Sequence, residues 1–213
     1  MMQTKQWLAG LAMVCSLSAG GAMAAPEDDY KEGLLAQGKD DLQTAMVLFK
    51  RAADAGHPLA MVAFGTILDL AEENEAALEW LRKAADAGEV AGMDRLGVML
   101  LNGEGGKNRE KEGLAWIEKA AGLNHGPSMV VLAKILFSGK SGVGVDGERG
   151  LKLLTSAAES GFIPAIKELV RIHRVGEAGV PPDPAAAQFW EAKLPKSVDH
   201  RPKTGKRSGG DKP

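Results

Sequence analysis

Metal binding, nucleophilic attack and phosphate capture each need particular side chains at particular spacing. This 213-residue chain offers four histidines, one cysteine and two glycine-rich runs with which to attempt them. His57 and His125 each stand five residues beyond an Ala-Ala pair, at equivalent turns of an internal repeat and two repeats apart. A zinc site needs three or four ligands converging on one point, so two histidines on distant turns read as polar turn residues. His173 falls in an apolar helical stripe, and His200 in a polar C-terminal stretch. Gly139-Lys140-Ser141 matches the end of a phosphate-binding loop, yet Lys134 holds the place of the required first glycine and no strand precedes it. Gly103-Glu104-Gly105-Gly106 imitates a dinucleotide loop, but Asn108 sits where the last glycine belongs. Glu72-Glu73, and Glu110 with Glu112, read as solvated carboxylates at helix starts, where the helix dipole favours negative charge. No nucleophile adjoins a base in the sequence, so the chain is expected to be no enzyme and to need no metal and no cofactor.

Composition narrows the partners. A formal net charge of -2 gives no overall basic field for phosphate neutralisation, so nucleic acid is not an expected partner. With 45% hydrophobic but only 5% aromatic residues, and abundant Ala and Gly, the chain suits close packing between helices better than a β-sandwich. Met1 to Ala24 reads as a secretory signal: Lys5, an apolar stretch from Trp7 to Leu17, then Ala22-Met23-Ala24 with small residues where a signal peptidase cuts. An uncleaved anchor is the other reading of this segment, although its apolar stretch is short for a membrane span, so no transmembrane span is expected in the mature form. Cys15 lies inside the segment behind Val14, a poor match to a lipidation site, and disulfides cannot stabilise a mature chain without cysteine. Residues 196–213 are rich in Lys, Arg, Gly and Pro, and are expected to be a disordered basic tail.

Between these ends the sequence repeats itself. Ala52-Ala53, Ala84-Ala85, Ala120-Ala121 and Ala157-Ala158 recur in similar contexts at intervals of 32, 36 and 37 residues, the spacing of a helix-pair array. Thirteen residues beyond the first alanine of each pair stands a second landmark: Gly65, Gly97, Ala133 and Val170, with Gly33 as an earlier, truncated copy. Each lies in an apolar segment of helical period, where a small side chain lets two helices approach closely. Length varies only in the other link. Gly139 to Asp146 and Gly176 to Asp183 share the pattern G-x-x-G-V-x-x-D, in which glycine ends one helix and aspartate caps the next. Pro184 follows Asp183 at the first helical position, where a missing N–H costs nothing.

These residues resemble the Sel1-like repeats, relatives of the tetratricopeptide repeats. The resemblance rests on Leu96-Gly97, on Gly179-Val180-Pro181-Pro182-Asp183 and on Trp80-Leu81-Arg82-Lys83-Ala84-Ala85, and it covers roughly Ala45 to Leu194. It implies an all-α fold, an α/α solenoid of about four to five stacked antiparallel helix pairs, in a repeat domain spanning residues 25–195. It also implies a concave groove lined by the landmark helices. By analogy with tetratricopeptide geometry, the groove side chains are expected to be Val62, Thr66, Asp69, Asp94, Val98, Val130, Lys134, Lys167, Arg171 and Arg174. That set becomes more basic toward its C-terminal end, so an acidic or carboxylate-ending segment is the expected occupant.

The resemblance and the signal segment together imply a non-catalytic protein–protein interaction scaffold or adaptor of the bacterial cell envelope, placed in the periplasm. Two other readings stay open: a binder or hydrolase of cell-wall glycan or a small molecule, and a purely structural module of a larger envelope complex.

Overall fold

The computed structural model describes residues 25–106 and 108–195. The expected signal segment and basic tail lie outside the described residues. Ten helices follow one another: α1 (Pro26–Gln37), α2 (Leu42–Asp54), α3 (Pro58–Leu70), α4 (Asn74–Asp86), α5 (Val90–Leu101), α6 (Glu110–Gly122), α7 (Gly126–Ser138), α8 (Gly147–Glu159), α9 (Ile163–Val175) and α10 (Pro184–Glu191). Each packs on its neighbours in sequence, giving five antiparallel pairs in a solenoid, with no strand among the described residues. The truncated copy around Gly33 proves to be a full helix of 12 residues.

Helix ends follow one rule. The residue five places past the first alanine of each pair donates its N–H to that alanine's carbonyl: His57 to Ala52 at 3.0 Å, Glu89 to Ala84 at 3.0 Å, His125 to Ala120 at 3.2 Å and Phe162 to Ala157 at 3.0 Å. This closure satisfies an otherwise orphaned carbonyl and requires a left-handed residue just before the donor. Gly56, Gly88 and Gly161 supply it, and in the third copy Asn124 does so at φ 61°, a conformation asparagine tolerates better than most residues. Asp41, Asp146 and Asp183 cap α2, α8 and α10 by accepting N–H bonds from Thr44, Arg149 and Ala186. The G-x-x-G-V-x-x-D reading of the two long loops therefore holds in detail.

The landmark positions are helix crossings. Gly33, Gly65 and Gly97 are buried, and Ala133 and Val170 are exposed by 0% and 7%. Opposite Gly65 and Gly97, seven residues before the next alanine pair, stand Ala77 and Gly113, whereas a Cβ on Gly33 would meet the Phe49 ring and one on Gly150 the Phe137 ring. The α5–α6 crossing has glycine on both sides. A Cβ built on Gly113 would lie 2.8 Å from the Gly97 carbonyl oxygen.

Burial divides the core into two clusters. One gathers Phe49, Phe64, Leu81, Leu96, Leu100 and Ala120, and the other gathers Ile117, Leu136, Leu154, Leu169 and Trp190. Helix α6 contributes to both, so the two clusters abut along it. Besides their sequence neighbours, α3 touches α5 and α7 touches α9, which puts the landmark helices side by side along one face.

Candidate functional site

On that face, between the ends of α5, α7 and α9, lies a cavity of about 490 Å³. Its floor is apolar, built from Leu101, Val131, Ile135, Phe137 and Ile172, and its rim is charged, with Lys134, Lys140, Glu168, Arg171 and Glu177. The floor residues come from the helical periodicity of the landmark helices, whereas Lys140 and Glu177 come from the long loops. The cavity has the mixed apolar and polar lining of a recognition site.

Lys134 and Arg171, expected from the sequence to line a groove, line this cavity. The other expected residues are placed as follows. Val62, Thr66 and Val98 are half-buried, and the Thr66 hydroxyl donates to the Val62 carbonyl at 2.8 Å. Val130 is 7% exposed and belongs to the core, while Val131 beside it faces the cavity. Lys167 and Arg174 are exposed farther along.

The basic gradient read from side-chain types is largely cancelled by carboxylates that the reading passed over. Lys134 Nζ lies 2.8 Å from Glu168 Oε1, and Arg171 spans Glu168 at 2.8 Å and Glu177 at 2.6 Å. Arg174 reaches both oxygens of Glu191 at 2.7 Å. Burial pushes the Glu168 carboxyl up, but hydrogen bonds from Lys134 and Arg171 outweigh it and hold the group below the usual glutamate range. Glu168 is thus a charged strut between α7 and α9.

The loop positions were missed. Glu104, Lys140 and Glu177 each lie seven residues past a landmark, directly after the helix-ending glycines Gly103, Gly139 and Gly176. Those glycines have φ values of 85°, 67° and 76°, and the left-handed turn makes the residue that follows the first of the loop. The signal was in the sequence as the first variable position of three G-x-x-G runs. The Gly139 and Gly176 runs read as one helix-stop pattern, but reading the Gly103 run only as a failed dinucleotide loop hid its equivalence to them.

Asn102 also lines the cavity wall, and its amide approaches Glu104 at 3.5 Å. Among the described residues one Glu104 oxygen is buried without a hydrogen-bond donor, and the Asp69 carboxylate lies beside it. Burial first, and the Asp69 charge second, push the Glu104 carboxyl above its ordinary value. A carboxyl with a raised folded value binds its proton more tightly in the native state. Its favourable contribution is therefore complete below the unfolded value and is lost as pH rises through the folded one. Glu104→Gln is accordingly expected to melt at a higher temperature than the wild type at neutral pH. The difference should close as the pH is brought below about 4, where the glutamate is protonated in both states. Thermal melts across that range test it, and equal melting at neutral pH would count against the carboxylate repulsion.

A second constellation also went unseen. Asp94 on α5 meets Ser128 on α7: the Ser128 hydroxyl donates to Asp94 Oδ1 at 2.6 Å and lies 2.9 Å from His125 Nδ1. The expectation that no nucleophile adjoins a base is therefore overturned as a statement of proximity. The chemistry differs from that of a hydrolase, because the serine proton is directed to the carboxylate and Ser128 is 0% exposed. Its equivalents are Ala60, Gly92 and Ala165, so the slot is one for small residues and the hydroxyl ties α5 to α7. His57 has a different role: Nδ1 accepts the Ala60 N–H at 3.2 Å as a helix cap, and Nε2 lies 2.8 Å from Glu27. Among the described residues no group of three or more metal-ligating side chains converges, and no helix is long and apolar enough to cross a membrane.

Comparison with known proteins agrees with this architecture. The Sel1 repeat matches residues 25–57, 64–89, 90–125, 126–162 and 171–190. Chitin synthase regulatory factor 3 of Schizosaccharomyces pombe is 30% identical over 160 residues, which is 70% of this chain but 17% of that protein. A Sel1 repeat protein from Oxalobacter formigenes superposes with a TM-score of 0.73 at 21% identity, covering 92% of this chain and 77% of the other. A protective antigen of uropathogenic Escherichia coli superposes with a TM-score of 0.65 at 23% identity, covering 91% of this chain and 40% of the antigen. Repeat matches across most of the chain, on helix pairs that end and cross by one shared rule, show that this protein belongs to the Sel1 repeat family, a tetratricopeptide-like family of protein–protein interaction modules.

Proposed function

We propose that the protein is a non-catalytic adaptor of the bacterial cell envelope that holds a segment of a partner protein in its concave groove. The observation that carries this reading is the cavity between α5, α7 and α9, whose apolar floor and charged rim suit a side chain and its flanking backbone. Its rim is pre-organised, since Glu168 clamps Lys134 and Arg171 in place, and a pre-ordered surface loses less entropy on binding. The signal-like segment supports export, and the Ala22-Met23-Ala24 run supports cleavage and release into the periplasm. The regulatory role in the name of the matching yeast protein is in keeping with an adaptor, although the match spans 17% of that protein's length.

The test is affinity capture from an envelope extract with the full chain and with Lys134→Glu/Arg171→Glu. Glu168 is 19% exposed and loses both partners in this variant, so the milder Lys134→Gln/Arg171→Gln is run beside it, and circular dichroism verifies that each variant folds. Protein partners retained by the wild type and lost by the folded variant are the expected result. Partners retained equally by both would defeat the groove reading, and recovery of glycan in place of protein would favour the binder of cell-wall material.

A further inference from the structure

Charge is unevenly shared along the array. Residues 25–89, from α1 to the turn after α4, hold six Lys and Arg against 14 Asp and Glu, a net charge of -8. Residues 90–195 are nearly balanced, 13 against 12, and residues 196–213, beyond the described residues, hold six against two, a net +4. Part of the acidic excess stands on a face of α1 that no described helix covers. Asp28 is the equivalent of Ala60, Gly92, Ser128 and Ala165, five residues before each landmark, all of them buried. Ser128 bonds to Asp94 on α5, and Gly92 abuts Ala84 on α4, so this position meets helices that come before its own. Glu32 is the equivalent of Phe64, Leu96, Leu132 and Leu169, none of them more than 3% exposed. On α1 the two carboxylates are exposed one turn apart, and Leu35 on the same stripe is 65% exposed. A face that joins carboxylates to an uncovered leucine, within an acidic end, is complementary to a basic segment.

The chain carries such a segment itself, at its other end, where residues 196–213 follow α10. The landmark helices lie side by side, and at about 9 Å per spacing α1 is about 36 Å from α9. A coil of 18 residues averages about 23 Å between its ends, and reaches about 60 Å only when fully drawn out. The α1 face of a second molecule is therefore an easier target than the chain's own. We propose that residues 196–213 of one molecule dock on the exposed face of α1 of another, joining copies of this chain head to tail. Such a joint is heterologous, so it can extend beyond two copies. Each added copy brings another groove, and grooves held together gain from effective concentration. The joint does not involve the groove, so it stands or falls apart from the partner proposed above.

Sedimentation velocity of the full chain at rising protein concentration tests the inference. The expected result is association in about 20 mM salt that weakens at least about tenfold in about 0.5 M salt, where screening leaves charges a reach of only a few ångström. Asp28→Lys/Glu32→Lys should stay monomeric, and so should Lys203→Glu/Lys206→Glu/Arg207→Glu, which takes the C-terminal segment from +4 to -2. An equimolar mixture of the two should associate again, because each supplies the sign that the other now needs. Circular dichroism verifies that each is folded, and Asp28→Asn/Glu32→Gln, which only neutralises the face, replaces the reversal if that variant does not fold. Wild type that stays monomeric at low salt, whether the segment folds back on its own α1 or meets a different surface, would overturn the proposal. Association that persists in about 0.5 M salt or in both reversed variants, as contact between apolar segments would, overturns it as well. A mixture of folded variants that stays monomeric would do the same.

Discussion

Gly113→Val should destabilise the protein by about 3 kcal/mol, the upper part of the range for overpacking a close-packed core. A Cβ at this position would lie 2.8 Å from the Gly97 carbonyl oxygen, 2.9 Å from Leu100 Cβ and 2.9 Å from the Leu101 nitrogen. Two of those three neighbours are backbone atoms of α5, and no rotamer change can move them, so relief requires the helices to separate. Separation would loosen Ile117 and Leu100, both 0% exposed. The alanine variant tests the same crossing more gently, because the gain in helix propensity, about 1 kcal/mol relative to glycine, offsets part of the steric cost. For a chain of this size about 3 kcal/mol corresponds to a fall of roughly 6–12 °C in melting temperature. Scanning calorimetry or a circular-dichroism melt measures it directly. A valine variant melting within about 2 °C of the wild type would mean that the crossing is looser than the structure has it.

Arg51→Met is expected to cost a comparable amount, about 3 kcal/mol, for an electrostatic reason. Asp29 on α1 is 2% exposed, and Arg51 on α2 grips both its oxygens. Removing the guanidinium strands a buried carboxylate, which costs far more than the pair itself contributes. The half-exposed Arg51 side chain lets some water reach the site, which keeps the figure at the low end of the range for broken buried pairs. The slot itself does not require charge, since Met93, Met129 and Ile166 occupy the equivalent place in later copies and are buried there. The double variant Asp29→Met/Arg51→Met should therefore recover most of the loss, a coupling readable from a double-mutant cycle of melting curves. If the double variant were as unstable as the single one, desolvation of Asp29 would not be the cause.

Much of the architecture was legible because the repeat encodes it redundantly. The alanine pairs mark the same helix closure four times, and the thirteen-residue link is rigid because it joins that closure to the next crossing. At the α5–α6 crossing Gly97 faces a second glycine, Gly113, a pairing that only three-dimensional register reveals. The site was harder to read. A periodic template borrowed from helices gave Lys134 and Arg171, but it could not anticipate that Glu168, three residues before Arg171 and on an adjoining turn, would bind both. It also picked Val130 where Val131 faces the cavity, since a one-residue rotation of about 100° exchanges core and groove. The Asp94–Ser128–His125 contact joins residues 34 apart in sequence and has no local signature at all.

Ala120 and Ile117 lie on the same helix within a turn of each other, yet each is packed into a different cluster. An array of units that touch only their neighbours would ordinarily melt piecemeal from either end. Here α6 acts as a shared wall, so neither half can come apart without exposing part of the other. A ligand that steadies α7 and α9 would in this way be felt in α4 and α5, giving the short array a single cooperative transition through one helix of 13 residues.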